Sequence, residues 1–145
     1  MSIAYLHRHS AHHHPLARYS RLLSVTTRAC TRGSSQRLVV SVHGEVDSSN
    51  AKQFAVAVCD AAANCGALIL DLTGLQFIAV DGFAALHAIN AAMARTDSSW
   101  QVAPSPAVLR LLGLCDPEGL IPLASPEDVT YVRNQQVLAQ EAETA

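Results

Sequence analysis

A chain of 145 residues, 50% apolar and 15% charged, is long enough to build one domain with its own core, which excludes a largely disordered protein. Its net charge of −2 conceals an asymmetry: residues 1–37 carry six arginines and no acidic residue, whereas residues 38–145 carry four basic and twelve acidic residues. The acidic body argues against a nucleic-acid partner, and no apolar run is long enough to cross a membrane.

Residues 1–20 differ in composition from the rest of the chain. They hold five of the seven histidines, namely His7, His9, His12, His13 and His14. Imidazoles can bind metal ions, but a usable site needs fixed geometry, which this segment does not suggest. We therefore expect a basic, His-rich, disordered tail without a metal site. The segment also lacks the apolar core of a secretory signal, so we expect a cytoplasmic protein.

The next part of the chain predicts a β-hairpin. Residues 23–27 alternate weakly between apolar and polar types, and residues 38–42 form a β-branched apolar run. Residues 31–36 between them are rich in glycine, serine and other turn formers. The two segments are therefore predicted to pair as antiparallel strands.

A polar loop and a helix are predicted after the hairpin. Residues 43–50 are polar and end in residue types that favour helix N-caps. The following segment places Ala51, Phe54 and Val58, together with Ala55 and Ala62, on one helical face. It ends at residues 64–66, where asparagine and glycine favour a helix stop.

The centre of the chain predicts a buried strand followed by a capped helix. Residues 67–72 form a short apolar run that is closed by a threonine and a glycine. After a further loop, Phe83, Leu86 and Met93 recur at helical spacing. Asp81 precedes this helical segment and is predicted to be its N-cap.

The remaining elements are shorter and are marked by prolines. Residues 100–103 predict a strand, and residues 106–114 predict a helix with proline in its first turn. Residues 121–123 predict a last edge strand, where a proline is tolerated. Ser125 and Pro126 then open a C-terminal helix as its N-cap and first residue.

This order of elements predicts one α/β domain over residues 21–140, followed by a short C-terminal tail at 141–145. Alternating strands and helices favour a mixed β-sheet of about five strands, with four helices packed mainly on one face.

Nothing in this domain indicates an enzyme. The sequence has no glycine-rich phosphate loop, and His43 and His87 lack a Ser or Cys partner in a recognisable motif. Glu45 and Asp47 are more consistent with helix capping than with an acid pair. We therefore predict no catalytic residues and no cofactor.

Two motifs resemble those of the STAS domain family, in its anti-sigma factor antagonist type. The central unit contains Asp71-Leu72, Phe77-Ile78, Gly82 and Leu86 in the family's register, and residues 44–47 read Gly-Glu-Val-Asp where the family has Gly-Glu-Leu-Asp. The order of elements is also the STAS order. The resemblance implies a STAS-like fold and a regulatory, protein-binding role.

The chain departs from the family at one functional position. Where the family carries a phosphorylated serine or threonine before the glycine, this chain has Asp81 before Gly82. Asp81 either mimics the phosphorylated residue and holds the protein inactive, or is only an N-cap in a protein that binds without a switch. Both hypotheses predict that this position is not phosphorylated.

The resemblance implies a protein partner, an anti-sigma factor with a histidine-kinase-like ATPase fold, whose capture frees a sigma factor. The implied partner-binding residues are Asp47, Ser48, Ser49, Asn50, Asp81, Gly82 and Phe83. We expect a monomer or weak homodimer. The alternative is a scaffold or sensor subunit of a larger stress-signalling assembly.

The cysteines are a second candidate for regulation. None of the four forms a CxxC pair, so small buried hydrophobes are the simpler interpretation. If the phosphorylation switch is lost, Cys59, Cys65 and Cys115 are candidates for redox control, provided that a pair of Cα atoms lies within about 7 Å.

Overall fold

The computed structural model describes residues 23–32 and 34–144. The predicted tail at residues 1–20, with its histidines, lies outside this range. The elements, in chain order, are β1 (Leu23–Arg32), β2 (Ser35–Val46), α1 (Ala51–Ala61), β3 (Ala67–Asp71), β4 (Leu75–Ile78), α2 (Val80–Arg95), β5 (Ser99–Ala103), α3 (Pro106–Cys115) and α4 (Pro126–Thr144).

The strands form one mixed sheet in the order β1-β2-β3-β5. Strands β1 and β2 make the predicted antiparallel hairpin; β1 extends further toward the turn than the sequence indicated, and β2 extends further at both ends. Strand β3 lies parallel between β2 and β5. Beyond the end of β3, β4 pairs in parallel with the last residues of β2. The parallel strands therefore end at the same edge of the sheet.

Helices α1, α2 and α3 cover one face of this sheet and form the main core with it. Phe54 of α1 and Leu86 of α2 are fully buried against Val40 and Leu70 of the sheet. Each such side chain contributes about 1.5–3 kcal/mol through removal of apolar surface from water. The helical spacing that predicted α1 and α2 is thus the spacing of residues that face this core.

Helix α4 covers part of the opposite face. Its Val132 is buried against Val39 and Ile69 of the sheet. Arg37 of β2 donates to Asp128 through both terminal nitrogens, at 3.0 and 3.3 Å, and this hydrogen bond is the main cause of the raised pKa of Arg37. Three helices on one face and one on the other confirm the predicted fold class.

The identity of the fifth strand was predicted wrongly. Residues 121–123 form only an isolated parallel bridge, between Leu123 and Val102, and the fifth strand is β4. Pro122 accepts a hydrogen bond from the Val102 amide but has no N–H of its own, so it cannot continue a ladder.

The C-terminal helix begins as predicted and runs further than predicted. Ser125 Oγ accepts from the Asp128 amide at 3.1 Å, which is the expected capping bond. The helix continues to Thr144 and so includes most of the segment that we assigned to the C-terminal tail. Among the described residues, no helix has the length and apolar character needed to cross a membrane.

Candidate functional site

The two sequence motifs meet at the carboxyl edge of the sheet. Val46 at the end of β2 lies beside Ile78 at the end of β4, and the Ala79 amide donates to the Val46 carbonyl at 2.8 Å. The loop at residues 47–50 and the first turn of α2 therefore leave the sheet side by side. The structure thus brings together the two segments that the sequence predicted as one surface.

Side-chain hydrogen bonds of its first and last residues stabilise the loop at 47–50. The Asp47 side chain accepts from the Ser49 amide at 2.9 Å and from its hydroxyl, and the hydroxyl bond is the main cause of the lowered pKa of Asp47. Asn50 is buried and donates to the Glu45 carbonyl at 3.0 Å while its Oδ1 accepts from the Asp47 amide at 2.9 Å. Ser48 and Ser49 are left exposed.

Asn50 does stand at the N-cap position of α1, but its side chain makes no capping bond. It turns back along the chain because the Asp47 amide and the Glu45 carbonyl occupy its amide group. The side chain of Asn50 therefore stabilises the loop itself, and the loop is joined to α1 through backbone bonds, from the Ala51 amide to the Asp47 carbonyl at 3.0 Å and from the Phe54 amide to the Asn50 carbonyl at 2.9 Å.

The prediction that Asp81 is an N-cap is wrong. Helix α2 begins at Val80, so the cap residue is Ala79, which cannot cap with its side chain. The Gly82 amide donates to the Ala79 carbonyl at 2.8 Å, which starts the helical turn earlier than the sequence suggested. Asp81 lies in the first turn and is exposed, and its side chain makes no hydrogen bond or ion pair with any residue that the structure describes.

A carboxylate in that position still interacts favourably with the helix. The unpaired N–H groups of the first turn carry a partial positive charge, and a nearby exposed anion gains about 0.3–1 kcal/mol from it. Asp81 therefore stabilises α2 modestly while its oxygens stay open to solvent or to a partner.

Gly82 and Phe83 are less accessible than Asp81. Gly82 is buried, and a Cβ at this position would lie 2.4 Å from Cγ1 of Ile78 and 3.2 Å from Cγ1 of Val46. Glycine thus allows α2 to lie directly on the ends of β2 and β4. Phe83 is partly buried and meets His87 edge to face, with ring centroids 4.7 Å apart.

A groove of about 370 Å³ runs between α1 and α2 from the loop at 47–50. Its walls are mostly alanine; the lining residues are Ser48, Ala51, Lys52, Ala55, Asp81, Ala84, Ala85 and Ala88. Ser48 and Asp81, one from each motif, therefore border the same concave surface.

Three exposed residues near this site were not predicted as part of it. Lys52 lines the groove, while Phe77 and Val80 precede Asp81 in the chain and have 48% and 67% of their surface exposed. The exposure of Phe77 and Val80 could not be predicted from the sequence, because apolar residues in or beside a strand are usually buried. Lys52 could have been found from its position in the first turn of a predicted helix.

A second polar cluster lies on the opposite face of the sheet and is structural. Asp71 is fully buried and accepts from Ser41 Oγ at 2.8 Å, Thr73 Oγ1 at 2.6 Å and Gln136 of α4. His43 contacts Gln136 at 3.4 Å. These bonds satisfy the buried carboxylate, so the Asp-Leu motif serves the fold by tying α4 to the sheet.

The cysteines show no paired arrangement. All four thiols are free; Cys30 is buried and donates to the Tyr131 hydroxyl at 3.1 Å. Burial raises the pKa of Cys59 and of Cys65, which disfavours the reactive thiolate at neutral pH. Within the described part of the chain, no group of three or more His, Cys, Asp or Glu side chains could hold a metal ion.

The family comparison agrees with the motifs. The sequence model described as "Mlab, STAS domain" matches residues 30–122, which is more than half of the chain. A Mycobacterium tuberculosis protein with the provisional name anti-anti-sigma factor Rv2638 is 42% identical over 64 residues. That match covers 42% of this chain and 43% of the relative, so less than half of the relative's length is spanned.

Solved structures show the same architecture. An anti-sigma factor antagonist from Mycobacterium paratuberculosis matches with a TM-score of 0.56 and 25% identity, over 75% of this chain and 93% of that one. SpoIIAA, an anti-sigma factor antagonist in its unphosphorylated form, matches with a TM-score of 0.52 and 16% identity, over 74% and 96% of the two chains. The latter likeness concerns the fold alone. The chain belongs to the STAS domain family.

Proposed function

We propose that this protein binds an ATPase-type anti-sigma factor and thereby frees a sigma factor, without a phosphorylation switch. The name of the mycobacterial relative and the likeness to solved antagonists support the first part. The observation that carries the second part is the position of Asp81. It occupies the exposed first turn of α2, where the family carries its phosphorylated hydroxyl.

The chemistry of the switch explains why aspartate removes it. A phosphoryl group adds nearly two negative charges and three acceptor oxygens to a helix N-terminus, which changes the binding surface strongly. Asp81 has no hydroxyl to accept a phosphoryl group and carries one permanent charge. ATP-dependent phosphorylation at this position therefore does not switch the surface between two states.

That single state is the binding-competent one. A residue that mimicked phosphoserine would be expected to engage the amides of its own helix, as a bound phosphate does. Asp81 instead makes no hydrogen bond within the described chain and lines an open groove beside Ser48. We therefore favour a constitutive antagonist over a protein that is permanently held inactive.

The test is calorimetric titration of the full chain against ATPase-type anti-sigma factors from the same organism, with and without ATP. We expect the wild type to bind with a dissociation constant in the micromolar range or below, equally well in both conditions. Binding by Asp81→Ser alone, in the absence of ATP, would show that the aspartate acts as a fixed phosphate and would overturn the constitutive mechanism.

A second arm uses the hydroxyl that Asp81→Ser restores. We expect the cognate kinase to add one phosphoryl group to this variant, detected by intact mass, and the modified variant to lose binding. The wild type should remain unmodified. A large homo-oligomer of the wild type that binds no anti-sigma factor would contradict the proposal and favour the scaffold alternative.

A further inference from the structure

The groove between α1 and α2 is shaped to receive another helix. Ala51 and Ala55 on α1 face Ala84 and Ala88 on α2, and within each pair the alanines are one helical turn apart. Helices with small side chains at the contact can approach closely, and a ridge of one packs into a groove of another. The floor of the groove is therefore accessible to a convex, apolar surface.

Two opposite charges mark one end of this groove. Lys52 is the second residue of α1 and Asp81 the second residue of α2. Both helices start at the carboxyl edge of the sheet, so the two charges lie at the same end of the groove, one on each wall. Among the described residues neither has a salt-bridge partner or a hydrogen bond, and both are exposed.

We propose that this groove binds a helix of the partner protein, which carries a basic residue opposite Asp81 and an acidic residue opposite Lys52. This inference rests on the proposed function and deepens it by assigning the occupant. Charge complementarity argues for such a partner, because two unneutralised charges of opposite sign fix both the register and the direction of an incoming helix. Asp81 thus forms an ion pair with the basic residue of the partner, at the position where the family carries a phosphorylated residue.

A second copy of this chain is a poorer occupant. Two-fold association through this surface would bring one concave groove against another, and neither would supply the convex ridge that fills it. Nor does the groove present a free sheet edge to which an extended segment could add a strand, since both walls are helices. A helix from a different protein satisfies both the shape and the charge pattern.

The test fills the groove without changing its charge. Ala88→Leu places an isobutyl group on the groove wall, whereas Ala94→Leu places the same group on an exposed part of α2 that faces away from it. Because both positions are exposed, both variants should fold, which circular dichroism and urea unfolding will check. Calorimetry against the anti-sigma factor bound by the wild type should show at least tenfold weaker binding for Ala88→Leu and no change for Ala94→Leu.

The charges are tested separately. Asp81→Asn and Lys52→Gln should each weaken binding roughly three- to tenfold, mainly by slowing association. In each variant the binding affinity should also depend less on salt concentration than in the wild type. Equal salt dependence in the wild type and both variants would overturn the assignment of charges.

The outcomes separate this inference from the function on which it rests. If the wild type binds and Ala88→Leu binds within twofold of it, the groove is not the binding surface, while the antagonist function stands. If the wild type binds no candidate, both are overturned. If wild type self-associates in sedimentation experiments and Ala88→Leu does not, the occupant is a second copy and the helix of a different partner is refuted.

Discussion

The contact beneath Gly82 allows a quantitative test of how α2 is seated on the sheet. A Cβ at this position would lie 2.4 and 2.7 Å from Cγ1 and Cδ1 of Ile78, well inside van der Waals contact. Cγ1 is bonded directly to Cβ of this buried, β-branched residue, so it can move away only by rotation about Cα–Cβ into a less favourable rotamer or by a shift of the end of β4. Gly82→Ala should therefore overpack this contact.

The expected magnitude follows from two opposing terms. Overpacking a core contact typically costs 1–3 kcal/mol, and replacing a helical glycine with alanine gains up to about 1 kcal/mol. Since the clash involves two atoms and Gly82 lies in the first turn, where the propensity gain is smaller, we expect a net destabilisation of about 1–2 kcal/mol. Gly113 of α3 is the matched control, because a Cβ there meets nothing within 4 Å. Gly113→Ala should stabilise the protein by about 0.5 kcal/mol.

Urea unfolding followed by the fluorescence of Trp100 measures both variants. This is the one tryptophan of the chain; it is buried, and its indole N–H donates to Asn90 at 2.8 Å, so its emission should change on unfolding. With an m-value of about 2 kcal/mol per molar, Gly82→Ala should lower the urea midpoint by roughly 0.5–1 M. An increase in midpoint equal to that of Gly113→Ala would refute the steric argument.

Three further predictions concern other parts of the molecule. Hydrogen bonds from backbone amides of the residues after α3 lower the pKa of Asp116. Its stabilising contribution is therefore present above about pH 4 and is lost as the pH falls. Asp116→Asn should lower the free energy of unfolding at pH 7 and make it depend less on pH in the acid range. A double-mutant cycle with Arg37→Gln and Asp128→Asn should give a coupling of about 1–2 kcal/mol, because the side chains of this bidentate pair are only 18% and 13% exposed; a value near zero would contradict a role in fixing α4. Burial raises the pKa values of Cys59 and Cys65, so both should react with iodoacetamide more slowly than a free thiol at pH 7.5. Thiol quantitation after oxidant treatment should still find four thiols. Loss of two thiols would support redox control.

The elements with strong periodicity were predictable because their pattern is the pattern of burial. Phe54, Val58, Leu86 and Met93 recur at helical spacing and all face the main core. The hairpin was predictable from β-branched runs around a turn. Its true length was not, because pairing partners rather than local composition decide where a ladder ends.

The fifth strand could not be predicted from local sequence. Residues 75–78 join the sheet only because β3 ends at Asp71 and leaves the last part of β2 without a parallel neighbour. The unpaired last part of β2 exists only once the sheet is assembled, so local sequence does not reveal it. The proline of residues 121–123 limits that segment to a single bridge.

The site was predictable as a location but not in its details, and the physical reason lies in Gly82. Its missing side chain allows the first turn of α2 to lie directly on the ends of β2 and β4, with Val80 as the first helical residue and Ala79 as the cap. Residue 81 then projects from the first turn into the groove, whatever its side chain is. The capping preference of aspartate alone does not reveal this constraint. The packing beneath the helix, rather than the chemistry of the aspartate, explains why residue 81 lines the groove.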